Sequence, residues 1–128
     1  GPDSESRQWV SQVADLINAP YQVLEKKRYG DKSVSISLPQ VEQYWDYTPV
    51  VVDDVISTAH TMIETVKVLK TAKMKKVICM AVHALFAGDA FKRLSKTHVR
   101  QIVTCNTITH RSNAIDLGSS IGDMLSSE

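Results

Sequence analysis

Three short segments, residues 50–52, 77–82 and 99–104, the first two apolar throughout, end at or lead straight into polar side chains, and the segments between them carry helical spacing. Runs this short and this continuous read as strands buried on both faces rather than as helices. Met62, Val66 and Leu69 line one side of a helix after the first run, with lysines opposite. Ala90, Phe91 and Leu94 face inward from another after the second. Strands alternating with helices build right-handed βαβ units. The expected fold is α/β, a mostly parallel sheet with helices on both faces. Ligands of such sheets sit beyond the carboxyl ends of the strands, which gathers Asp53, Asp54, His83 and Asn106 on one rim.

The flanks are less regular. Trp9, Val10, Val13, Leu16 and Ile17 form a helical stripe that starts after a cap at Asp3 or Ser4 and stops before Pro20. Residues 21–24 read as a short strand, followed by a basic, glycine-containing stretch over 26–32. Val34, Ile36 and Leu38 alternate with Ser35 and Ser37 as a half-buried strand, which Pro39 closes. Tyr44, Trp45 and Tyr47 are expected to pack as a cover. Ile115 and Leu117 suit a last short strand, and a final helix is expected from about Ser119.

At 128 residues the chain forms one domain with an adequate core. A net charge of +1 gives no case for nucleic acid or an anionic membrane as partner, and no apolar run approaches the ~20 residues that span a bilayer. The opening residues are polar and do not resemble a secretory signal, so the cytoplasm is the expected location. Cys79 and Cys105 lie in apolar runs and are expected as buried thiols. No Cys or His pair has the spacing of a structural zinc site. His98 and His110 lie in polar loops and are given no role, and His83 reads as a hydrogen-bonded rim group more readily than as a catalyst.

The chemistry concentrates where residues 50–52 meet Asp53, Asp54, Ser57, Thr58, Ala59, His60 and Thr61. Beyond a strand end both carboxylates can turn toward a ligand, accepting bonds from vicinal hydroxyls or holding Mg²⁺ through water. Small and hydroxylated residues at a helix start offer backbone N–H groups and positive potential to an anion. A sugar phosphate satisfies both halves.

Residues 50–62 resemble the phosphoribosyl-pyrophosphate loop of type I phosphoribosyltransferase folds, a Rossmann-like class. Further segments resemble ribose-phosphate pyrophosphokinases. These are Gly1-Pro2-Asp3, Leu24-Glu25-Lys26-Lys27-Arg28, residues 81–90 around His83, Phe86 and Gly88, and Thr104-Cys105-Asn106-Thr107-Ile108. The matches keep their order from Asp3 to about Leu125. The resemblance implies transfer of the β,γ-diphosphoryl group of ATP to the anomeric hydroxyl of ribose 5-phosphate, giving phosphoribosyl pyrophosphate and AMP. It implies that Asp53 and Asp54 hold the ribose hydroxyls, and that Ser57, Thr58, Ala59, His60 and Thr61 cradle the phosphate. It also implies that Asp3 lies near a Mg²⁺ at the anomeric carbon, and that Lys26 and Arg28 close over the transferring phosphates. Those enzymes contain two related domains; this chain resembles the second, so the fragment alone should lack a complete kinase site. Gly1-Pro2 can also be what a protease leaves behind. A homo-oligomer is expected.

Ser57 replaces an acid common in bacterial and animal members and matches the archaeal type. His60 stands where glycine is usual, and glycine serves where φ is positive or where a ligand must approach the backbone closely; a His held at positive φ costs about 1 kcal/mol. There its ring either crowds the phosphate or, as a cation, strengthens its binding. Two other readings stay open: a non-catalytic sugar-phosphate-binding or regulatory module, and a phosphoribosyltransferase acting on a base.

Overall fold

The computed structural model describes residues 1–29, 33–37 and 42–126. A 3-10 turn, Ser4–Ser6, leads into helix α1, Arg7–Leu16. Asp3 caps this start, its carboxylate accepting the Ser6 amide at 3.2 Å. Asn18, at φ 52°, ends α1: the Ala19 amide reaches back to the Ala14 carbonyl at 2.9 Å and the Asn18 amide to that of Asp15. Of the apolar stripe only Val10 is buried; Leu16 is 86% exposed.

Residues 21–24 are not a strand. Strand β1 is Glu25–Tyr29, which pairs antiparallel with β2, Ser33–Ser37, from Glu25↔Ser37 to Tyr29↔Ser33. The first part of the basic stretch is therefore one strand of an antiparallel pair. The alternating strand needs partners for its backbone groups, and the neighbouring chain supplies them. The side chains of Lys26 and Arg28 lie outside the described residues.

The main sheet is parallel and runs in sequence order: β3 (Val50–Ile56), β4 (Val77–Ala84), β5 (Val99–Cys105) and β6 (Asn113–Ile115). Helices α2 (His60–Thr71) and α3 (Ala90–Ser95) make the first two crossovers. Strand positions advance in one direction only, so right-handed connections carry both helices over the same face. Burial agrees. Val51, Val77, Cys79, Ala81 and Thr104 share a face through the register and are at most 4% exposed. On the opposite face Val50 is 46% and Val82 37% exposed. Farther along that face Val103 and Cys105 are at most 8% exposed, so the sheet is flanked on both sides there, while the one-directional order puts both crossover helices on one.

Met62, Val66 and Leu69 of α2 and Ala90 and Leu94 of α3 fill the core as the spacing predicts. Fully burying a side chain such as Val66 or Leu94 is worth about 1.5–3 kcal/mol. Cys79 and Cys105 are buried and unbonded, and burial pushes the Cys79 thiol up to about 12. Tyr44 packs against the core, but Trp45 and Tyr47 stay about half exposed, so the aromatic cover is partial. Helix α4 (Leu117–Ser126) begins two residues before the expected start, because Asn106 and Asp116 accept the Leu117 and Gly118 amides there. Among the described residues no helix is long and apolar enough to cross a membrane.

Candidate functional site

Strand β3 does not stop at residue 52. It continues through both acids to Ile56, with Asp53 beside Ala81 and Val55 beside His83. The ladder to β4 carries the acids further than the apolar run suggests, because strand pairing needs only backbone groups. The same register places Ala81 beside Thr104, so Asp53, His83 and Asn106 do share the carboxyl rim.

Each acid holds the next amide: Asp53 accepts from the Asp54 N–H and Asp54 from the Val55 N–H, both at 2.8 Å. Asp53 is half-buried and Asp54 exposed. The Asp53 carboxyl is pushed up to about 7, first by burial, then by its hydrogen bond with the Asp54 side chain and by the negative charges of Asp54 and Asp3. The Asp54 amide pulls the other way. Asp3, some fifty residues earlier in the chain, is thus brought within electrostatic reach of Asp53.

A pocket of about 150 Å³ opens against this strand end, lined by Asp53, Val55 and Ile56 and by the turn and first helical residues from Ser57 to Met62. Asp54 does not line it. Ala59 precedes α2 with φ 67° and ψ 9°, and no side chain caps the helix start. The N-cap residue Ala59 has no side chain that could accept from the first-turn N–H groups of α2, and a helix start that borders a pocket suits an anion. The positive φ falls at Ala59, not at His60, which is the first, exposed residue of the helix and carries no left-handed strain. An alanine in this region costs on the order of 1 kcal/mol.

His83 and Asn106 have structural partners. His83 Nδ1 lies 2.7 Å from Thr107 Oγ1, and Asn106 donates to Asp116 at 2.8 Å. Among the described residues no group of three or more His, Cys, Asp or Glu side chains is placed to hold a metal.

One supporting set of contacts is not legible as a motif. The Phe86 and Ala87 amides donate to the Ile56 and Ser57 carbonyls, both at 2.8 Å. Arg93 donates through Nη2 to the Thr58 carbonyl at 2.9 Å and through Nε to Asp89. The i,i+4 pairing of Asp89 with Arg93 is visible in the sequence, but its reach to Thr58 is not.

The family model described as "Phosphoribosyl transferase domain" matches residues 1–119. Ribose-phosphate pyrophosphokinase of Sulfurisphaera tokodaii is 37% identical over 109 residues, covering 84% of this chain and 37% of that protein. The protein of the same name from Sulfolobus acidocaldarius is 32% identical, covering 94% of this chain and 43% of its own length. The crystal structure of phosphoribosylpyrophosphate synthetase from Mycobacterium smegmatis covers 99% of this chain and 44% of its own, with a TM-score of 0.69 at 20% identity, a likeness of fold. This chain thus spans about two fifths of the curated relatives it matches.

Proposed function

We propose, from the premise that this chain belongs to the phosphoribosyl transferase domain family, that it is the ribose-phosphate-binding half of a ribose-phosphate pyrophosphokinase. The observation that carries the reading is a pocket lined both by Asp53 and by the start of α2, where the N-cap Ala59 has no capping side chain. Asp53, with Asp54 beside it, accepts hydrogen bonds from the ribose 2- and 3-hydroxyls. The backbone N–H groups from Ser57 to Thr61, with the hydroxyls of Ser57, Thr58 and Thr61, take the 5-phosphate. Fixing the sugar at both ends presents its anomeric hydroxyl to the diphosphoryl donor, ATP. The anomeric oxygen bonds to the β-phosphorus as the bond from that phosphorus to the oxygen shared with the α-phosphorus breaks. AMP leaves with that oxygen, and the hydroxyl proton is lost. Phosphoryl transfer depends mainly on positioning and charge, and Lys26 and Arg28 supply positive charge over the phosphates.

Residues 1–128 correspond in this reading to the second domain of a two-domain, oligomeric enzyme, the first contributing to the ATP site. Mg²⁺ fits the acids present: Asp53 already carries a raised pKa beside Asp54 and Asp3, and Mg²⁺ commonly uses one or two carboxylates plus substrate phosphates rather than a full protein cage. Asp3 and Asp53 would hold it, and when bound it neutralises charge on the transferring phosphates.

Calorimetric titration of ribose 5-phosphate, with and without Mg²⁺, tests the site. Saturable binding that weakens at least tenfold in the Asp53→Ala/Asp54→Ala variant is the expected result. Binding indifferent to both acids would remove them from the sugar site, and a full-length protein that makes no phosphoribosyl pyrophosphate from ATP would overturn the assigned reaction.

A further inference from the structure

Ile56, Ser57 and Thr58 present three successive carbonyls to one segment of chain, residues 86–93. Phe86 N–H holds the first, Ala87 N–H the second and the Arg93 guanidinium the third, at 2.8, 2.8 and 2.9 Å. In a trans peptide the carbonyl and the N–H of the same unit point in opposite directions. Holding those carbonyls toward residues 86–93 therefore turns the N–H groups of Ser57, Thr58 and Ala59 the other way, and all three residues line the pocket. Three adjacent N–H groups on one side make an anion-binding concavity. We infer that Arg93 is a positioning residue for this cradle: it fixes the Thr58 peptide, the last before the left-handed Ala59, and touches no substrate itself.

The contrast with an ordinary surface ion pair is testable. The Arg93–Asp89 bridge is largely exposed, and such pairs contribute little. Arg93 uses Nε on Asp89 and Nη2 on Thr58, so Asp89 orients a guanidinium whose second arm reaches the loop. Lysine, with a single ammonium, cannot reproduce that fork. The first two carbonyls are held by backbone amides, which truncating a side chain leaves in place, so of these three bonds only that of Arg93 is made by a side chain.

The inference deepens the proposed sugar-phosphate site and rests on it for its affinity consequence, but the loop geometry can be read without ligand. Arg93→Ala, Arg93→Lys and Asp89→Ala are compared with the wild-type chain in two measurements. In the ligand-free protein, the amide resonances and hydrogen exchange of Ser57, Thr58 and Ala59 are followed by NMR. Ribose 5-phosphate and inorganic phosphate are then titrated calorimetrically. The expected result is a local change at those three amides in Arg93→Ala and about tenfold weaker binding of both ligands. Arg93→Lys should rescue only part of the loss, and Asp89→Ala should show a smaller loss of the same kind. Unmoved amides together with affinities within twofold of wild type would overturn the positioning role. Should wild type bind neither ligand, the sugar-phosphate reading falls, and the amide measurement alone decides the clamp. Should Arg93→Ala fail to fold, Arg93→Lys and Asp89→Ala carry both measurements.

Discussion

Asp53 titrates at about 7, far above an aspartate in water, because burial and the neighbouring acids Asp54 and Asp3 disfavour its charge. Between pH ~4 and ~7 the native protein therefore retains a proton that the unfolded chain has already released. Stability must then fall as pH rises through that window, the reverse of a salt-bridged acid. Asp53→Asn should flatten this decline, matching wild type below pH ~4 and exceeding it in urea midpoint at pH 8. A wild-type midpoint that rises from pH 4 to 7 while Asp53→Asn stays flat would contradict the assignment. The sequence exposed the acids and the hydroxylated turn, since both are local patterns. It did not single out Ala59 as the left-handed residue, because which peptide of a tight turn becomes left-handed depends on what grips the flanking carbonyls. Here that grip comes from residues some thirty positions later.

Helix α2 has a left-handed residue at each end, Ala59 before it and Lys73 after it, at φ 67° and 64°. At the far end the Lys73 amide reaches the Lys70 carbonyl and the Met74 amide that of Leu69, at 2.9 and 3.1 Å, the paired bonds that usually belong to glycine. Lys73→Gly removes a left-handed penalty of about 1–2 kcal/mol and adds about 0.5–1 kcal/mol of backbone entropy to lose. A net gain of roughly 0.5–1 kcal/mol is expected in denaturant unfolding, with Lys73→Ala unchanged. A Lys73→Gly variant no more stable than Lys73→Ala would show that the turn carries no strain. Helices α2 and α3 and strands β3 to β5 were legible because core-facing spacing is a local signal. Strand β1 was not, since Glu25, Lys26, Lys27 and Arg28 carry no apolar alternation and are extended only because β2 pairs with them.

At the level of the molecule, both crossover helices lie over one face of the sheet, while the other leaves Val50 and Val82 partly open. Leu16, Ile17, Ile121, Met124 and Leu125 add exposed apolar surface on α1 and α4. With a net charge of only +1 at pH 7, little repulsion opposes contact between copies. Concentration-dependent association is expected in sedimentation near neutral pH. A monomer at every concentration would show that these surfaces are too scattered to associate. Exposed apolar area is what a chain resembling one half of a two-domain enzyme leads one to expect; the shared face was not legible beforehand, because apolar content says that a strand is coverable and not what covers it.

The unbroken order β3, β4, β5, β6 also bears on how the molecule is made. Every strand of the parallel sheet pairs first with the one synthesised just before it. At about 5–20 residues per second, the acid-bearing strand waits only a few seconds on the ribosome for its partner. Residues 86–93 emerge directly behind that partner, so the carbonyls of the turn can be gripped almost as soon as the strands pair. The binding loop would then be among the first parts of the sheet to reach its final shape, with β5, β6 and α4 added to a rim already set.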